Sequence, residues 1–103
     1  MPIIDYSAKA QSDLDEITNY YLRVTDEETT VKVMTAILNE ITYLADSPML
    51  GKRIANEAPQ YRVWIILKDR FKIYFERIAP DHIRVFRVYG ARRKPLNPQE
   101  VFK

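Results

Sequence analysis

Apolar residues recur at helical spacing in the first half of the chain and form two stripes. The first stripe follows Ser7, a good helix N-cap, and consists of Ala10, Leu14, Ile17, Tyr21 and Val24. The second consists of Met34, Ile37, Leu38, Ile41, Leu44 and Ala45. It follows Thr25-Asp26-Glu27-Glu28, which is typical of a capping box, and it ends at Asp46-Ser47-Pro48. We therefore predict helices over residues 8–23 and 27–46, joined closely enough to form an antiparallel hairpin.

The hydrophobic pattern changes after Gly51 to short runs rich in aromatic and β-branched residues. Such runs predict strands at 61–67, 71–78 and 82–89, and a shorter run predicts a first strand at 2–6. Lys68-Asp69-Arg70 and Ala79-Pro80-Asp81 are short connections, so adjacent strands should be antiparallel. We predict one α+β domain over residues 1–103, of order β-α-α-β-β-β, in which the helical hairpin packs on an antiparallel β-sheet.

Charge is distributed unevenly along the chain. Residues 1–50 carry three basic and nine acidic side chains, whereas residues 51–103 carry thirteen basic and five acidic ones. The strand-forming half is therefore basic, and it favours acidic partners through an attraction that salt weakens. We expect the protein to dock this basic surface onto a large macromolecular partner.

Several function classes are disfavoured by composition. The chain has no cysteine and one histidine, His82, which leaves few ligands for a metal and few groups for acid-base chemistry. We read His82, beside a Pro-Asp turn, as an exposed turn residue, and we expect no metal and no cofactor. No apolar run approaches the ~20 residues that span a bilayer, and residues 1–5 lack the features of a signal peptide. We expect a cytoplasmic protein without a membrane partner.

Basic residues alternate with apolar ones on the predicted strands and are the main candidates for function. Guanidinium and ammonium groups on one sheet face, near aromatic rings, would suit phosphate contact and base stacking. The residues concerned are Arg62, Lys72, Arg84 and Arg87, with Trp64, Tyr74 and Tyr89 nearby. The alternative is the ordinary solvated face of an antiparallel sheet. Arg92-Arg93-Lys94, after the last strand, is either a binding cluster or a solvated segment.

The order of elements and several motifs together resemble the ParE/RelE superfamily of bacterial type II toxins, also called plasmid stabilisation proteins. The first helix reads Ala10-x-x-Asp13-Leu14-x-x-Ile17-x-x-Tyr20, and Ser47-Pro48-x-x-Gly51 follows the second. Tyr61-Arg62 opens the next strand, and Arg87-Val88-Tyr89-Gly90-Ala91-Arg92-Arg93 ends the last. Many members have histidine at the position of Tyr89 and aspartate at that of Arg93. Nearly the whole chain is covered.

The resemblance implies one of two mechanisms. ParE-like members poison DNA gyrase, and here Arg87, Arg92, Arg93 and Lys94 would contact the target. RelE-like members cut mRNA in the ribosomal A site, and here Arg62, Lys72 and Arg92 would supply cations and Tyr89 would donate a proton. The catalytic set is incomplete, since the late catalytic tyrosine of RelE-like members falls near Pro98. Together with the first helix and the Ser-Pro-x-x-Gly link, this favours the ParE-like mechanism, and the RelE-like nuclease is the alternative. A toxin-like fold that has lost its activity is a third possibility.

The resemblance also implies partners. A toxin of this family is neutralised by a cognate antitoxin whose C-terminal segment folds on it, and the basic half of this chain should favour an acidic segment. The target would be DNA gyrase or, in the alternative, the ribosome and mRNA. A toxin dimer or a higher toxin-antitoxin assembly is also compatible with the sequence.

Overall fold

The structure, a computed structural model, describes residues 2–54 and 60–91. Its two helices are α1 (Ala8–Val24) and α2 (Glu27–Ala45). Its strands are β1 (Ile3–Tyr6), β2 (Lys52–Arg53), β3 (Tyr61–Ile66), β4 (Phe71–Ala79) and β5 (His82–Gly90). The predicted helices and strands are confirmed to within about one residue at most ends. Only the two-residue strand β2 has no counterpart in the sequence prediction, because it is too short to show a pattern.

The strands form one sheet in the order β1-β5-β4-β3-β2. Strands β2 to β5 pair antiparallel, as their short connections predict, but β1 pairs parallel with β5. The sheet is therefore mixed, and the prediction of a wholly antiparallel sheet was wrong for β1. A hydrophobic run indicates a strand but not its neighbour, and the helical hairpin between β1 and the other strands allows a parallel return.

A side-chain cap marks the N-terminal end of each helix. Ser7 caps α1 as predicted, since its Oγ accepts a hydrogen bond from the amide of Ala10 at 3.0 Å. The cap of α2 is Asp26, whose Oδ1 accepts from the amide of Thr29 at 2.7 Å, while Thr25 ends α1. Hydrogen bonds from Thr29 lower the pKa of Asp26. Reading residues 25–28 as a capping box therefore placed the cap one residue too early.

The helical hairpin covers one face of the sheet, as predicted. Fully buried Ile37, Ile41 and Leu44 of α2 pack with a sheet surface that includes Ile73, Phe75, Ile83 and Val85. Two residues of the predicted stripes, Val24 and Leu38, are exposed instead, at 53% and 43%. Leu38 directly follows buried Ile37, and the 100° step of a helix turns it away from the sheet. No described helix is long and apolar enough to cross a membrane.

The sheet face opposite the helices, called the outer face below, carries a second and smaller apolar cluster. Tyr74 and Tyr89 are its buried members, and partly buried Ile54, Val63 and Phe86 pack against them. The two tyrosine rings meet edge to face with their centroids 6.3 Å apart. Both faces of the sheet therefore bury aromatic or aliphatic side chains, and the outer face is not an ordinary solvated surface.

Candidate target-binding surface

The predicted basic residues do not lie on one face of the sheet. Arg62 pairs in register with Phe75, a fully buried residue of the main core, so Arg62 lies on the helix side. Its Nη1 donates to the carbonyl of Gly51 at 3.2 Å. Lys72 and Arg84 lie on the outer face, where Arg84 pairs across the strands with Glu76. The expectation that Arg62, Lys72, Arg84 and Arg87 line one face was therefore wrong, because the strand register decides which residues share a face.

The aromatic residues expected to stack on bases are also placed differently from the prediction. Trp64 pairs with Ile73 and packs against the main core on the helix side. Tyr74 and Tyr89 lie on the outer face but are only 4% and 7% exposed. Their rings are covered, so they offer no open stacking platform.

The residues proposed for RNA cleavage are divided by the sheet. Lys72 and Tyr89 are direct cross-strand neighbours on the outer face. Arg62 lies on the other side, at the end of α2 and Gly51. Arg92, with Arg93 and Lys94, lies outside the described residues, so the roles predicted for these three stay predictions. The last described residue, Ala91, donates its amide to the carbonyl of Arg70 at 2.8 Å.

Arg87, predicted as a target contact, joins β5 to α1. Strand β1 pairs only with residues 82–85, and a bulge interrupts the β4–β5 register near Tyr74. Beyond β1, side chains of the first helix replace a strand neighbour: Ser7 Oγ donates to the carbonyl of Phe86 at 2.9 Å. Asp13 Oδ2 accepts the amide of Val88 at 3.1 Å. Ser7 and Asp13 thus form hydrogen bonds with backbone groups of β5 beyond its pairing with β1.

Asp13 and Arg87 form a bidentate pair at this edge. Arg87 Nε donates to Asp13 Oδ2 at 2.6 Å, and Nη2 donates to Oδ1 at 3.0 Å. The bond to Asp13 is the main reason that the pKa of Arg87 is raised. The Nε and Nη2 donors of Arg87 are therefore already occupied by Asp13. Asp13 appears in the resemblance motif, but its burial was not predicted; its place three residues after apolar Ala10, on the same helix face, is the signal that could have indicated it.

Arg77 was not predicted as a functional residue, yet it makes several long-range hydrogen bonds. Its guanidinium binds the C-terminal end of α2: Nη1 donates to the carbonyl of Ala45 at 2.7 Å, and Nη2 to those of Leu44 at 2.8 Å and Ser47 at 3.1 Å. Burial, and secondly the charge of Arg62, lower the pKa of Arg77. A cation at the negative end of the helix dipole satisfies carbonyls that the helix leaves without donors.

His82 connects the two parallel strands. Its Nε2 lies 2.8 Å from Oδ2 of Asp5, and its side chain is 24% exposed. The histidine is therefore a partly buried strand residue with an acidic neighbour, and its reading as an exposed turn residue was wrong. Within residues 2–54 and 60–91, no three histidine or acidic side chains are grouped so that they could hold a metal ion.

Comparison with known proteins identifies a solved structure with a similar fold. No protein-family model and no curated protein matches the sequence. A chain of the solved structure described as the chromosomal ParDE TA system from P. aeruginosa is similar, with a TM-score of 0.69 and 22% sequence identity. The similarity covers 87% of this chain and 96% of that chain. The molecule therefore has a ParE-like fold, which is the fold that the motifs of its first helix and last strand predict.

Proposed function

We propose that the chain is the toxin component of a type II toxin-antitoxin system and acts as a ParE-like inhibitor of DNA gyrase, neutralised by a cognate antitoxin. The observation that carries this proposal is the similarity to a chain of a ParDE system over nearly the whole of both chains. A match of this extent includes the helical hairpin and the sheet together, so it concerns the complete arrangement of elements and not one common motif.

The positions of the candidate nuclease residues support a binding function over RNA cleavage. Cleavage without a metal needs cations and a proton donor around one phosphate. Here the sheet separates Arg62 from Lys72 and Tyr89, and Tyr89 is 7% exposed within an apolar cluster. A phosphate could not contact both faces of the sheet at once, so the described residues favour the gyrase inhibitor.

The antitoxin partner follows from the same proposal. The described basic residues that are exposed to solvent would attract an acidic antitoxin segment, and such attraction weakens as salt increases. Toxicity on expression alone, relieved by a small co-expressed partner, is the expected behaviour in cells.

Two assays with the purified chain test the proposal. We expect the chain to inhibit supercoiling by DNA gyrase and to leave mRNA intact in a translating ribosome system. Replacing Arg92, Arg93 and Lys94 by alanine should reduce the inhibition on the order of tenfold or more, because charged contacts at an interface steer association. The matched control removes the same charge from exposed Lys9, Arg23 and Lys52 and should retain inhibition.

Ribosome-dependent mRNA cleavage by the chain would contradict the proposal and promote the nuclease alternative. In that case Arg92→Ala should abolish cutting, because loss of one transition-state cation costs on the order of a hundredfold. Tyr89→Phe would then test the proton donor, since this change removes the hydroxyl and keeps the ring.

A further inference from the structure

The turn between β3 and β4 has an unusual backbone. Three successive residues that are not glycine, Leu67, Lys68 and Asp69, have positive φ angles of 52°, 54° and 66°. A left-handed conformation costs roughly 1–2 kcal/mol for each such residue. The turn is closed by the amide of Arg70, which donates to the carbonyl of Ile66 at 3.1 Å. Strain of this kind persists only where the surroundings impose it, and it concentrates at functional sites.

The surroundings hold this turn at both ends. Leu67 packs against the main core, and the carbonyl of Arg70 accepts the amide of Ala91 at 2.8 Å. Lys68 and Arg70 therefore project from a backbone that is fixed before any partner arrives. Preorganised groups lose less entropy on binding than groups on a mobile loop.

The turn and helix α2 border a shallow, open recess of about 290 Å³. Its floor is aliphatic, formed by Val33, Ala36 and Leu67, and its rim is cationic, formed by Lys32, Lys68 and Arg70. Pockets for small-molecule ligands have volumes of about 300–1,000 Å³. This recess lies at the lower limit of that range, which suits one or two side chains of a peptide better than a cofactor.

The rim charges are poorly neutralised by the described residues. Lys32 lies 3.5 Å from Glu28, and both side chains are more than three-quarters exposed, so this pair is weak. Within the described part of the chain, neither Lys68 nor Arg70 has an ion pair. Asp69 lies between them in the turn and lines, together with Lys68 and Arg70, a neighbouring recess, but it does not line this one. The rim therefore presents a net positive charge around an apolar floor.

We propose that the recess between α2 and the β3–β4 turn docks an acidic peptide segment, whose carboxylates contact Lys68 and Arg70 and whose large apolar side chain contacts Ala36. A single-stranded nucleic acid is a poorer fit, because its bases bind by stacking on aromatic rings and the floor of this recess is aliphatic. The inference concerns binding alone and does not depend on whether the chain inhibits gyrase.

The test is a titration of the isotope-labelled full chain, observed by amide NMR, with a short synthetic peptide of glutamate and leucine. We expect the signals of Ala36, Leu67 and Lys68 to shift, with an affinity that falls as salt increases. Lys68→Ser with Arg70→Ser should weaken binding on the order of tenfold, the effect of losing two exposed charge contacts. Lys9→Ser with Lys52→Ser removes the same charge from exposed positions elsewhere and should change affinity by less than about twofold.

A second variant tests the apolar floor without altering charge. Ala36→Leu fills the recess and should weaken binding of the glutamate–leucine peptide while the remaining amide spectrum stays unchanged. Equal losses in the two charge variants would overturn the proposal in favour of non-specific attraction. Tighter binding of oligouridylate than of the peptide at the same amides, or no shift at these amides, would overturn it as well.

Discussion

Asp13 should contribute more to the free energy of unfolding than any other acidic residue of α1. Its carboxylate accepts hydrogen bonds from Arg87 Nε, Arg87 Nη2 and the amide of Val88, and the side chains of Asp13 and Arg87 are only 10% and 19% exposed. Asp13→Ala removes all three bonds at once. It leaves a guanidinium and a strand amide without their acceptor, at an edge of β5 that β1 does not cover.

Removing one partner of a buried ion pair costs about 3–5 kcal/mol, and an orphaned buried amide costs about 1–3 kcal/mol. Water can reach part of Arg87, so we expect a total near the lower end, about 3–4 kcal/mol. A small domain has a total stability of about 5–15 kcal/mol. The variant should therefore remain folded but lose a large part of its free energy of unfolding.

Urea unfolding followed by the fluorescence of Trp64, the one tryptophan of the chain, measures this loss. The matched control is Asp15→Ala, which removes the same charge from an exposed position of α1 and should cost less than about 0.5 kcal/mol. A double-mutant cycle with Arg87→Met should give a coupling energy of about 1–3 kcal/mol. A loss below about 1 kcal/mol in Asp13→Ala, or equal losses in the two aspartate variants, would refute the reasoning.

Three further predictions concern other parts of the fold. Arg77→Lys should destabilise the protein by about 2 kcal/mol in urea unfolding, because one lysine nitrogen would replace the two guanidinium nitrogens that donate to the carbonyls of Leu44, Ala45 and Ser47; an unchanged midpoint would contradict this. Gly51→Ala should cost about 1–3 kcal/mol by the same measurement, since φ is +104° and the new Cβ would lie 2.7 Å from Phe75 Cζ; wild-type stability would show that the backbone is relaxed there. The lowered pKa of Asp26 contributes stability that is present above its usual pKa of 3.8 and is lost as the pH falls through the lower folded value. Asp26→Asn keeps a cap without this titration, so its thermal midpoint should fall less steeply in acid than that of the wild type; parallel curves would contradict the assignment.

The sequence by itself determined the elements of this protein. Helical periodicity located α1 and α2, runs rich in aromatic and β-branched residues located the long strands, and Ser7 marked the start of the first helix correctly. These signals are local, because a cap or an amphipathic stripe depends on residues within a few positions of each other. The same local motifs supported the resemblance to the ParE/RelE superfamily, and the observed fold is similar to that of a chain of a ParDE system.

Only the tertiary structure decided which side chains meet. Arg62 and Lys72 look equivalent in the sequence, yet the register that pairs Arg62 with Phe75 and Lys72 with Tyr89 places them on opposite faces of the sheet. Arg87 looked like a surface cation in the sequence. In the structure, β5 has a bulge and extends past β1, and among the described residues the side chain of Arg87 there meets Asp13, 74 residues away in sequence. Strand register, bulges and long-range ion pairs depend on contacts between distant segments, and the local pattern of residues does not contain them.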